Sequence, residues 1–142
     1  MSGPFVPGPP SNEPVVISRE VLQLLALVDI SLAARRVLDV LLALNDEHNG
    51  TAEISQNEMC AALGASKPTV NRAFKELRAC GLAWRLDDGR YQLHPLLTQG
   101  RIAAAVMSVP EIQANDPASL TQRRRARFTA QLANLPPSTT TG

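Results

Sequence analysis

Five side chains able to donate to a nucleic acid fall between positions 67 and 75: Lys67, Thr69, Asn71, Arg72 and Lys75. At helical spacing they lie opposite Val70, Ala73, Phe74 and Leu77, whose i, i+3, i+4, i+7 recurrence marks a buried stripe. The chemistry such a set offers is hydrogen bonding, not bond making. Arg and Lys suit guanine edges or phosphates, Asn suits adenine, and a Thr hydroxyl suits either. Ser66 stands before them as an N-cap, and the backbone donors beside it suit a phosphate at the helix start. Gln56, at the start of the preceding helix, is placed to touch a nucleic-acid backbone. Arg85 and Arg90 flank the turn Asp87-Asp88-Gly89 and are expected on phosphates. Phosphates would repel the two aspartates, so the tip itself is expected to stay outside the minor groove.

A second basic group lies near the end of the chain, at Arg123, Arg124, Arg125 and Arg127. Four arginines in that run go round a helix and cannot share one solvated face. Phosphate contact outside the main recognition unit is the favoured reading. Pairing of the helix with its twin in a dimer, leucines inward, and a merely solvated helix are the alternatives. A membrane-surface helix fits poorly, because the apolar face is thin and carries no Trp.

The elements that must position these groups can be read from punctuation. Ser18 caps an apolar helix carrying Val21, Leu24, Leu25 and Val28, although Val15–Ile17 is β-prone. Ser31 opens a second helix over 32–44, with Ala34, Val37, Leu38 and Leu41 on one stripe. After the polar loop 45–50, residues 51–54 read as a short edge strand with Thr51 and Ile54 pointing one way. Ser55 and Glu58 form a capping box, and Gly64 ends the helix that follows. Two residues later Ser66 starts the basic helix, with Pro68 tolerated in its first turn. Beyond Gly81 the period becomes two. Leu82, Trp84 and Leu86 alternate with Ala83 and Arg85, and Tyr91 and Leu93 alternate with Arg90 and Gln92. That is a hairpin with one apolar face and one polar, partly basic face.

The outer segments are plainer. Residues 1–14 hold five of the eleven prolines and read as a disordered arm; 136–142 read as a disordered tail. Arg101–Val109 is apolar and Ala-rich and is expected as a short helix on the core or at a dimer contact. Asp116-Pro117 reads as the start of a last helix running to about Ala133, with Leu120, Phe128, Leu132 and Leu135 apolar.

Charge follows the same division. Residues 1–65 carry three Arg against eight acids, a balance of −5. Residues 66–142 carry eleven Lys and Arg against five acids, a balance of +6. The near-neutral total of +1 conceals this, and the sign changes at the proposed recognition helix. Two cysteines, Cys60 and Cys80, are too few for a disulfide framework and lack the paired spacing of a zinc site. His48 and His94 stand apart from any ligand cluster. No phosphate-cradling glycine loop and no nucleophile constellation is evident. No apolar run reaches the ~20 residues of a membrane span. The expectation is a cytoplasmic, non-enzymatic protein without cofactor or metal, nucleoid-associated when bound to DNA.

The run SQNEMCAALGASKPTVNRAFKELRACGLAWRLDDGRYQLHP resembles bacterial winged helix-turn-helix proteins. The ending YQLHPLLTQG is similar to that of plasmid replication initiators of the Gram-positive RepL type, where a strand enters an Asn-Pro step. MarR-type and Crp-type regulators share the helix-turn-helix. His94 stands where Asn is usual, and Pro68 is a second departure. The resemblance covers about residues 31–101 and implies sequence-specific binding of duplex DNA by a transcription regulator or plasmid replication or maintenance protein.

The expected fold is therefore mainly α, with a winged helix-turn-helix domain over 15–101 and a C-terminal helical extension over 102–135. Expected partners are double-stranded DNA and a second copy in a homodimer, with no membrane; Val21–Leu27 or the last helix would form the dimer contact. The competing reading is a winged helix that serves as a protein–protein module. It would require exposed apolar residues where this chain has Lys, Thr, Asn and Arg.

Overall fold

The computed structural model describes residues 7–113 and 122–135. Their element order is α1 (Arg19–Leu25), α2 (Leu32–Ala43), β1 (Thr51–Glu53), α3 (Gln56–Leu63), α4 (Lys67–Ala79), β2 (Ala83–Asp87), β3 (Arg90–Leu93) and α5 (Gln122–Asn134). The three strands form one antiparallel sheet in the order β1-β3-β2. This is a mainly helical winged helix-turn-helix.

Each of the first four helices starts on a serine whose hydroxyl accepts from a first-turn amide: Ser18, Ser31, Ser55 and Ser66. At Ser55 the bond is reciprocated by Glu58, so the capping box is complete. Gly64 ends α3 at φ +61°, in the left-handed region where a Cβ is disfavoured. That glycine makes the tight turn into α4.

The core is the common ground of these elements. Val37, Leu38 and Leu41 of α2 meet Val70, Ala73 and Leu77 of α4, and the two helices form the largest helix–helix contact. A second tie links them at the surface. Glu76 of α4 accepts from the Ser31 amide and hydroxyl, putting a carboxylate at the positive end of α2. The recognition helix is held by packing on its inner face and by this bond at its side.

The hairpin departs from the expected alternation. Ala83 pairs with Leu93 and Arg85 with Tyr91, so these four share a face; Trp84 pairs with Gln92 on the other. Leu86 is then extra, and Asp87 rather than Leu86 stands opposite Arg90. This bulge shifts the alternation at the tip. Gln92, expected on a solvated face, is fully buried. Its amide donates to the carbonyls of Asn49, Gly50 and Leu93 and accepts from the Ala103 amide. Along β1 and the residue after it the inward residues are Ala52 and Ile54, not the expected pair Thr51 and Ile54, because residues three apart fall on opposite faces of a strand. Thr51 is buried on the other face, where it bonds to Asn49.

What buries Gln92 is the segment after the hairpin. Residues 94–113 contain no helix, contrary to the expectation for Arg101–Val109. They run as a strap instead: Ala103 bonds to Gln92, Pro110 to His94, and the Gln113 amide to the Cys80 carbonyl. Gly81, at φ +80°, lets the strap pass; a Cβ there would stand 2.5 Å from the Glu111 carbonyl oxygen. The helical reading failed because the strap makes only isolated turns of its own and is tied at Ala103, Pro110 and Gln113 to the hairpin and the end of α4.

His94 fastens both ends of this strap. Its Nδ1 accepts from the Leu96 amide at 3.0 Å, which leaves the proton on Nε2, 2.9 Å from the Pro110 carbonyl. An Asn side chain makes the same local acceptor bond in an Asx turn, so His94 substitutes for it in kind. Burial pushes the imidazole below its ordinary 6.5. A folded-state value below the unfolded one means the native state resists protonation. Stability from this group is therefore complete above pH ~6.5 and is lost as pH falls, at no more than about 1.4 kcal/mol per unit. Urea unfolding at pH 7.5 and 5.5 should show the loss, and His94→Asn should reduce it. An equal loss in the variant would assign the acid sensitivity to other groups.

α5 lies against α1. Phe128 and Leu135 are buried, Leu132 is half-buried, and Gln131 donates to the Glu20 carbonyl and the Gln23 amide oxygen. The buried apolar faces of α1 and α5, the alternative candidates for a dimer contact, are used within one chain, while Leu22 of α1 stays exposed. The expected helix start at Asp116-Pro117, and Leu120, lie outside the described residues.

Candidate nucleic-acid interface

The basic face of α4 follows from how its other face is used. With Val70, Ala73 and Leu77 turned inward, Lys67, Asn71, Arg72, Lys75 and Arg78 are exposed. Ser66 caps the helix, its Oγ 2.9 Å from Thr69 Oγ1 and 3.4 Å from the Thr69 amide. Thr69 is half-buried and its hydroxyl is already committed to that cap. Pro68 has no N–H, so the Lys67 amide is the first-turn donor that points away from the cap. The helix start can hold a phosphate through fewer amides than its serine cap suggests.

The wing is set against α4 by an aromatic pair. Phe74 and Tyr91 stack with ring centroids 4.4 Å apart and planes 8° from parallel. Burial raises the Tyr91 phenol above its usual range, so this ring stays neutral. The two rings form part of the wall of a groove of about 270 Å³ between α4 and β2, lined also by Gln56, Asn71, Lys75, Arg78, Trp84 and Arg85 among others. Gln56 is thus brought to the same groove as the recognition helix. Trp84 turns its indole edge-on to His94, linking the groove wall to the strap.

Arg85 and Arg90 are not free cations. Arg85 pairs with Asp88 and also donates to the Asp87 carbonyl, while Arg90 lies 3.0 Å from the Asp87 carboxylate. The aspartates expected to stand aside are the partners of the arginines expected to bind.

Arg78 is a member of this surface that the sequence reading passed over. It follows Lys75 by three positions and Asn71 by seven, so the helical period that gathered the other residues points to it too. The remaining expected residues lie elsewhere. Arg123, Arg125 and Arg127 are exposed on α5, which groups with α1 rather than with α4. Arg124 is on the same helix, and its side chain lies outside the described set. Cys60 is half-buried on α3 and Cys80 is buried; both are free thiols. Among the described residues no cluster of His, Cys, Asp or Glu is arranged to hold a metal, and no helix is long and apolar enough to cross a membrane.

Fold and surface define a winged-helix module with a cationic recognition helix. Residues 29–90 match the profile of the MarR family, from just before α2 to the first residue of β3. The match spans just under half of the chain and supports a winged-helix DNA-binding regulator. No match was found among curated proteins or among solved structures.

Proposed function

We propose that the protein is a transcription regulator that binds specific duplex DNA sites by inserting α4 into the major groove. The observation that carries this reading is the face composed of Lys67, Asn71, Arg72, Lys75 and Arg78, exposed on a helix anchored by its opposite side. Lys67 adds weight. It sits at the first position of α4, the positive end of the helix dipole, where a cation is disfavoured unless an anion approaches. A protein-docking version of the fold would place apolar side chains on this face.

The division of labour follows from geometry and donor type. Asn71 and Arg72 are the base readers, Lys67, Lys75 and Arg78 contact phosphates, and Gln56 and Ser66 hold the backbone beside the helix start. Thr69 supports the cap more than it reads bases. Arg85 and Arg90 are the wing's phosphate ligands, and the arginines of α5 add phosphate contacts outside the winged unit. One recognition helix reads few base pairs, so the working form is a homodimer on half-sites ~34–36 Å apart. Its contact involves surfaces other than the α1 and α5 faces buried here. The protein binds rather than catalyses, in the cytoplasm.

Arg72→Ala tests the central assignment. Affinity for a cognate site should fall by about 1–3 kcal/mol while affinity for random duplex changes little. Equal weakening on both duplexes, read by competitive gel shift, would demote Arg72 to a phosphate contact. A plasmid replication or maintenance role is the second reading, favoured by the strand that runs into His94-Pro95. Binding to the plasmid origin rather than to a promoter, mapped by footprinting, would select it.

A further inference from the structure

The wing tip is electrically closed on itself. From Arg85 to Arg90 two arginines face two aspartates, whereas α4 carries Lys67, Arg72, Lys75 and Arg78 against Glu76 alone. The bulge at Leu86 creates this closure. It brings Asp87 opposite Arg90, where the two side chains pair at 3.0 Å, and leaves Asp88 to take the Arg85 guanidinium. Arg85 is further held by its bond to the Asp87 carbonyl at 3.3 Å. Arg90 keeps one nitrogen, Nε, buried with no partner. Both arginines are thus restrained by neighbours within the same turn.

We propose that Asp87 and Asp88 are specificity-determining residues, which withhold the wing arginines from DNA until α4 is seated on its site. The inference rests on the DNA-binding reading above and adds a rule to it. In the free protein the arginines that should grip phosphates carry internal counter-charges, so the wing offers little attraction to an arbitrary duplex. α4 makes the first contact. A phosphate carried into the groove beside Arg85 then displaces an aspartate and takes over the guanidinium. The exchange is feasible because the pairs are exposed. The Asp88 side chain is 99% accessible and its Arg85 partner 59%, so water and salt already weaken their attraction. The Arg90–Asp87 pair is more enclosed, at 34% and 57%, and is the second to open. Random sequences that do not let α4 seat gain nothing from the wing, and discrimination rises.

Four proteins separate this mechanism from simple charge repulsion: wild type, D87N/D88N, R85Q/R90Q and the quadruple variant. Fluorescence anisotropy with a labelled random duplex across a KCl series reads both affinity and salt dependence. With the wing freed, D87N/D88N should bind random duplex about tenfold more tightly, and its salt slope should steepen by about 1–2, at ~0.9 per added phosphate contact. In the R85Q/R90Q background the same Asp→Asn pair should produce no gain, because no arginine remains to be released. An equal gain in both backgrounds would mean that the aspartates merely repel DNA at a distance, and would overturn the latch alone. No gain in either background would overturn it as well. Failure of all four proteins to bind at low salt would instead overturn the DNA-binding reading, and the latch with it. Asn is well tolerated in turns, so the hairpin should survive the substitutions, and far-UV circular dichroism checks that it does.

Discussion

Neutralising the outer face of α4 should abolish useful DNA binding without unfolding the protein. In a variant carrying K67Q, R72Q, K75Q and R78Q, affinity should fall roughly 10³-fold at fixed salt, taking ~1 kcal/mol per lost contact from the low end of the expected range. The salt slope should drop by about 3, since Lys67, Lys75 and Arg78 each give up a phosphate contact contributing ~0.9. Stability should move little. All four side chains are exposed, and surface substitutions away from caps and core stay within about 0.5 kcal/mol each. Glu76, which ties α4 to Ser31, is untouched. Anisotropy and urea unfolding on the same preparation give the two numbers. Retained binding with a retained slope would remove α4 from the interface and shift the search to α5.

The second large effect is on the scaffold. Leu77→Ala should destabilise the protein by about 2–5 kcal/mol, the range for truncating a fully buried leucine. Leu77 is on α4, belongs to the central cluster, and its carbonyl also accepts the Leu82 amide where the chain turns into the hairpin. The cavity would therefore lie under the recognition helix at the point where the wing departs. Urea denaturation should show the midpoint fall with little change in m-value. A cost below about 1 kcal/mol would mean that the α2–α4 contact can collapse to fill the void, and that α4 is less rigidly held than its burial indicates.

How much of this could be read from residue order differs by element. The helices were legible because their signals are local. A serine cap, a glutamate three residues on and a stripe at period 3.6 act within one or two turns, and Ser55 to Gly64 was read to the residue. The α4 face was legible for the same reason, and Arg78 was overlooked although the same period reaches it. The wing was legible as a hairpin but not in its register. A single bulged residue shifts the alternation, and nothing in LAWRLDDGRYQL says which residue will bulge.

The strap was illegible altogether. Residues 101–109 have helical composition, yet the Ala103 amide answers to the Gln92 side chain, and just beyond them Pro110 and Gln113 are tied to His94 and Cys80, partners supplied by other parts of the chain.

Residue order alone determined that this chain makes a winged helix-turn-helix with a cationic outer face on α4, because caps, turns and amphipathic periods are decided by neighbours a few positions apart. Tertiary structure alone decided the rest. It determined that α1 and α5 cover each other, that a non-helical strap buries Gln92 and engages His94, and that the wing arginines are paired before any DNA arrives. Those outcomes depend on groups brought together by folding or by the exact register of a turn. Their energies come from burial and from paired polar atoms, which no local spacing records.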